Sequence, residues 1–276
     1  ESLVHQAQMQ MDLKNKVEAA RAFDLALTTW SQMGGCVDAE CVELKTRIRN
    51  FLVDWTKLKN PSPELLQAYR NYLAVFSVED DMRVAAGQVA RDLKQYPESI
   101  DLFNQAATGF KQAVQTNSGD EKSRAKYVQL LEDTLLGAIE VAEVAKQNEV
   151  LAKELNLYIQ NSISQKKNIE VRYQLANMVY EKGEYLKAAD MMREIALSSI
   201  AGGEPIKIQA ADLALDSLVL AKGEAQAETK IESWAMEFAR VFSSKAADYR
   251  LVARKALLNQ AIARADDPAQ ALAILS

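Results

Sequence analysis

The chain has 276 residues, 49% of them apolar, and a formal net charge of -5, so it can bury a large core as two domains or as one elongated repeat array. Residues 1–100 carry 12 basic and 14 acidic side chains, residues 101–200 the same numbers, and residues 201–276 carry 9 and 10. With both signs spread evenly there is no basic face for a phosphate backbone, and no nucleic acid partner is expected.

No apolar run reaches the roughly 20 residues that cross a bilayer, and no signal peptide is visible. The chain opens on Glu1, apparently within a helical pattern, and reads as a mature form or a piece of a longer protein. With five prolines, ten glycines and no hairpin dipeptide between alternating apolar residues, β-structure has no local signal. The expected fold class is all-α.

From the N-terminus onward the apolar period is helical. Gly34-Gly35 marks a first break between hairpins. Ser62-Pro63-Glu64 offers an N-cap, a proline at the first helical position and an acid in the first turn. Val128, Leu131, Leu135, Ile139 and Ala142 form one stripe at three- and four-residue steps. Around residue 183, Leu175, Ala176, Gly183, Tyr185 and Ala188 form a helical hairpin: small residues where two helices cross, a glycine break, and a tyrosine seating the second helix. Gly202-Gly203 breaks the next pair. Ile208, Ala211, Leu215 and Leu218 form another stripe. Ile231, Trp234, Ala235, Phe238, Val241 and Phe242 form one wide enough for a helix packed between neighbours. Asp267-Pro268 supplies a last cap.

Turns are expected near residues 14–15, 60–62, 95–97, 147–148, 182–184, 222–223 and 265–267. Separations of roughly 35–50 residues match two-helix repeats. About seven antiparallel helix pairs follow, forming one continuous array over residues 1–276; the alternative is two shorter arrays joined near Ser118-Gly119-Asp120.

Catalytic chemistry finds little support. His5 is the only histidine and has no triad-forming neighbours. No metalloprotease, P-loop or dinucleotide motif is present, so neither enzyme activity nor a cofactor is expected. Glu79-Asp80-Asp81 reads as the charged start of a helix, since adjacent helical residues point in different directions and no calcium-loop spacing follows. Within one helix, Cys36 and Cys41 would be offset by roughly 7.5 Å along the axis and could not bond. With Gly34-Gly35 placing Cys36 in a loop, a local disulfide is feasible and would suit an oxidising compartment such as the periplasm. The other reading is two reduced thiols, and then a cytoplasmic setting. A zinc site lacks further ligands.

The Leu175, Ala176, Gly183, Tyr185, Ala188 copy resembles the tetratricopeptide-repeat family, with Met192 where an aromatic is usual and Ile195 in place of an alanine. A second copy places Gly87, Tyr96, Ser99, Phe103 and Ala106 at equivalent positions. A third matches through Ala7, Ala19, Phe23 and Ala26, and a truncated fourth through Leu258, Ala271 and Leu275. Together they cover about half the chain; residues 37–77 and 120–165 match poorly. The resemblance implies a right-handed superhelical solenoid whose first helices line a concave groove for a protein or peptide. Carried over copy by copy, the groove residues are Val4, Gln8, Met11 and Asp12, then Val84, Gln88, Arg91 and Asp92, then Tyr173, Asn177, Tyr180 and Glu181. Two tyrosines with an amide between them could grip a peptide; equally, Tyr173 and Tyr180 could pack against the next hairpin. The expected function is a non-enzymatic scaffold. The alternatives are a superhelical accessory region of a larger, cell-wall-acting enzyme, or a peptide-sensing regulator.

Overall fold

The structure is a computed structural model describing residues 2–33, 39–58, 61–117, 119–163, 167–200, 202–221 and 225–275. Among them are fourteen α-helices, one short 3-10 turn at Ser243–Lys245, and no strand. The fold is all-α and built from successive helices packed as hairpins. It divides into two compact units, Glu1–Leu157 with Asn161–Ile163, and Tyr158–Gln160 with Ser164–Ser276. Residues 119–120, beside the proposed break, instead link two helices that pack together within the first unit.

The first unit opens with α1 (Ser2–Asp12), α2 (Lys16–Gln32), α3 (Ala39–Lys57) and α4 (Pro63–Val75). Ser62 caps α4 as expected, its Oγ accepting from the Leu65 amide at 3.4 Å. Buried aromatics tie these helices together: Phe23 stacks on Phe51 at 5.2 Å, and Trp30 meets Phe76 at 4.5 Å. Then come α5 (Asp80–Asp92), α6 (Tyr96–Thr116), α7 (Glu121–Val144) and α8 (Asn148–Asn161). Glu79 precedes α5 and accepts from the Tyr72 hydroxyl at 2.6 Å and from Lys45 at 2.7 Å. Burial works against its ionisation, but these partners prevail and hold its carboxyl below the ordinary range. Asp80 and Asp81 stand in the first turn of α5, where negative charge is favoured, whereas Glu79 makes no capping hydrogen bond.

The second unit runs through α9 (Asn168–Glu181), α10 (Tyr185–Ala196), α11 (Glu204–Leu220), α12 (Ala225–Val241), α13 (Ala246–Ile262) and α14 (Pro268–Leu275). Its core includes Ala176, Met192, Ala211, Leu215, Phe238 and Tyr249. Arg193 grips Glu237 with two hydrogen bonds, and Arg193 and Lys230 both approach the Trp234 ring, at 5.1 and 5.2 Å. Val241, assigned to the buried stripe, is 53% exposed.

Four hairpin turns share one backbone design. Lys14, Lys94, Lys146 and Gly183 each adopt positive φ, at 60°, 61°, 53° and 80°. In each the positive-φ residue donates its amide three residues back, as Lys94 does to the Arg91 carbonyl at 2.8 Å. After Lys14, Lys94 and Gly183 the next amide reaches five residues back, as Gln95 does to Ala90, also at 2.8 Å. This is the Schellman closure of a helix end, usually built on glycine. Lysine takes the place three times, with its charge favourably near a helix C-terminus.

Candidate functional site

The hairpin of α5 and α6 is held by its smallest side chains. Gly87 and Ser99 are buried at the crossing, and the Ser99 hydroxyl donates to the Gly87 carbonyl at 2.7 Å. A Cβ on Gly87 would stand 3.3 Å from the Phe103 ring, and one on Gly137 of α7 would stand 3.5 Å from the same ring. Phe103 is thus wedged between two glycines on the flanking helices, which lets α5 and α7 both pack closely on α6.

Between α5 and α7 lies a trough of about 330 Å³. One wall is Asp81, Val84, Gln88 and Arg91, at steps of three and four along α5. The other is Leu130, Asp133, Thr134, Gly137 and Glu140 of α7, again a single helical face. Phe103 and Phe110 of α6 lie at the bottom, both almost fully covered. Val84 and Leu130 are half-buried, whereas Gln88, Asp133 and Glu140 are exposed. Such a site offers apolar contact below and polar contact at the rim, the build of a recognition groove.

The structure brings Val84, Gln88 and Arg91 together here. Asp92 stands beside them, pairing with Arg91 at 3.2 Å. In the N-terminal copy, Gln8 donates to Asp12 at 3.2 Å on the exposed side of α1. Met11 corrects the expectation for that copy: it is only 8% exposed and belongs to the unit's apolar core, as does Val4. The copy around Gly183 keeps Asn177 and Glu181 paired along their helix at 2.8 Å. Its Tyr180 sits edge-on to Tyr185 at 5.5 Å, and Tyr173 packs against the core, so both rings are already partly engaged within the second unit. Cys41 is buried and disulfide-bonded, while Cys36 lies outside the described residues. His5 is exposed.

Sequence reasoning missed the α7 wall. Its residues fall in the stretch that matches the repeat pattern poorly, yet their spacing of three, one, three and three marks one helix face. On the buried side of α8, Glu154 is 2% exposed and neither carboxylate oxygen has a hydrogen-bond partner; burial pushes its carboxyl up, opposed by nearby Asn104.

Paired helices, close crossings and shared turns define a helical-repeat fold. No protein-family model and no curated protein matches the chain. Among solved structures, a monomeric mutant of IFIT1 with m7Gppp-AAAA is similar over 92% of this chain and 57% of that one, at 13% identity and a TM-score of 0.21. Human IFIT1 dimers with m7Gppp-AAAA and with PPP-AAAA match over 92% of this chain and 66% and 67% of theirs, both at 13% identity and a TM-score of 0.23. The chain therefore spans about two thirds or less of those proteins, and the likeness carries no residue correspondence. It does correct one expectation: those structures hold nucleic-acid ligands, so the exclusion of nucleic acid is withdrawn. The physical reason is that charge counts over a hundred residues average away the local field that a groove presents. Among the described residues no helix is long and apolar enough to cross a membrane.

Proposed function

We propose that the chain is a non-enzymatic helical-repeat scaffold that holds a segment of another protein, or a peptide, in the trough between α5 and α7. One observation carries the reading: side chains picked out by repeat position, Val84, Gln88 and Arg91, share a cavity with a continuous face of α7. Its covered aromatic bottom and exposed polar rim favour binding over chemistry, since no nucleophile–base pair lines it. Filling the trough with Gly137→Leu tests the proposal. A partner captured by the parent protein should be lost by this variant while the helical circular-dichroism signal is kept. Undiminished capture by a folded Gly137→Leu protein would place the binding surface elsewhere.

A further inference from the structure

The rim of the trough is chemically one-sided. Its four ionisable residues are Asp81, Arg91, Asp133 and Glu140. The one base, Arg91, is paired with Asp92 at 3.2 Å, and Asp81 is taken by Arg49. Asp133 accepts only an amide hydrogen bond, from Gln129 at 2.7 Å, and among the described residues neither it nor Glu140 has a cationic partner. Both carboxylates are exposed. Seven positions apart on α7, they stand about 10 Å from each other along the helix. A peptide in the extended polyproline II conformation, with three residues per turn and about 3.1 Å per residue, returns a side chain to the same face at close to that distance every three residues.

Resting on the groove reading above, we infer that the trough takes an extended basic peptide, with Lys or Arg three residues apart facing Asp133 and Glu140. A bulky apolar side chain between them settles against Val84 and Leu130. Charge complementarity fixes the class of occupant: two unpaired carboxylates flank an apolar slot whose only base is already engaged. Thr134, its hydroxyl turned back onto the Leu130 carbonyl at 2.6 Å, adds no competing charge to this wall. The Gly137 position leaves the backbone of α7 open to close approach.

The test uses the whole chain and a fluorescein-labelled nine-residue peptide of three Lys-Phe-Ser repeats, followed by anisotropy. Its twin with Glu in place of Lys and a labelled oligoadenylate are the comparison probes. The Lys peptide should bind saturably and the twin should not. Asp133→Asn with Glu140→Gln should weaken binding about tenfold, the size expected of two exposed charge contacts. A control pair outside the trough, Asp101→Asn with Glu149→Gln, should change it by less than about twofold. Equal weakening by both pairs, or no binding of the Lys peptide, overturns the inference. Should the Glu twin or the oligoadenylate bind instead, and lose binding in Gly137→Leu, the basic-peptide assignment falls while the groove reading stands. If no probe responds to Gly137→Leu, both fall.

Discussion

The α5–α6 hairpin of the first unit and the α9–α10 hairpin of the second solve one packing problem with different side chains. At the crossing, the first uses Gly87 and Ser99 and the second uses Ala176 and Ala188, all four buried. One turn further along, the first places Phe103, 3% exposed, and the second Met192, 0% exposed. The lost methyl of Gly87 makes room for a ring that an alanine would crowd, whereas Ala176 is matched with a narrower, unbranched thioether. The repeat is specified by the sum of volumes across the contact, and no single letter is compulsory.

That view can be broken most directly at the ring. Phe103→Ala should cost about 3–5 kcal/mol in a denaturant melt, because two glycines flank the hole and neither can fill it. A loss under about 1 kcal/mol would mean that the flanking helices collapse inward and the wedge is unimportant. Next in size, Ala176→Leu or Ala188→Leu should overpack the second crossing and cost about 1–3 kcal/mol. Melting at the parent's temperature would refute the assignment of that contact. The Ser99 hydroxyl bonds the Gly87 carbonyl, a link that Ala188 cannot make, so Ser99→Ala should lose about 1 kcal/mol and remove a real difference between the hairpins.

The smallest effects lie in the turns. Gly183→Ala should destabilise by about 1 kcal/mol, since its φ of 80° is strained for any side chain. Lys94→Gly should stabilise by about 0.5 kcal/mol, the relief of strain outweighing the looser unfolded chain. Opposite signs are required; the same sign for both would mean that the two turns are not equivalent. Replacing both Tyr173 and Tyr180 with Ala should lower the stability of the second unit, since Tyr173 packs on its core and Tyr180 lies edge-on to Tyr185; an unchanged denaturant melt would refute that packing. A thiol count under denaturing, non-reducing conditions checks whether Cys36 is the partner of Cys41.

The helices were legible because apolar residues at three- and four-residue steps leave no competing period, as in Leu131, Leu135, Ile139 and Ala142 of α7. The Gly183 turn was legible because glycine announces positive φ. The turns at its three lysine counterparts were expected to within a residue or two, near 14–15, 95–97 and 147–148, but their positive φ was not, because lysine seldom adopts that conformation. Hence the backbone design that Lys94 shares with Gly183 could not be read from the sequence, although the turn itself lies just before the expected 95–97. The trough was half legible. Repeat position chose Val84, Gln88 and Arg91, but the same rule chose Met11, because periodicity defines a face without saying which neighbour covers it. The α7 wall needed a knowledge of which helix stands across from α5, and that is tertiary information.

Wedged between two backbones, the ring of Phe103 serves at once as keystone of three helices and as pavement under any guest. Occupancy must therefore raise the heat needed to melt those helices, by RT ln(1 + [L]/Kd) for a ligand that ignores the unfolded chain. A dye-based melting scan with no tag or labelled probe thus becomes a screen for ligands of the trough.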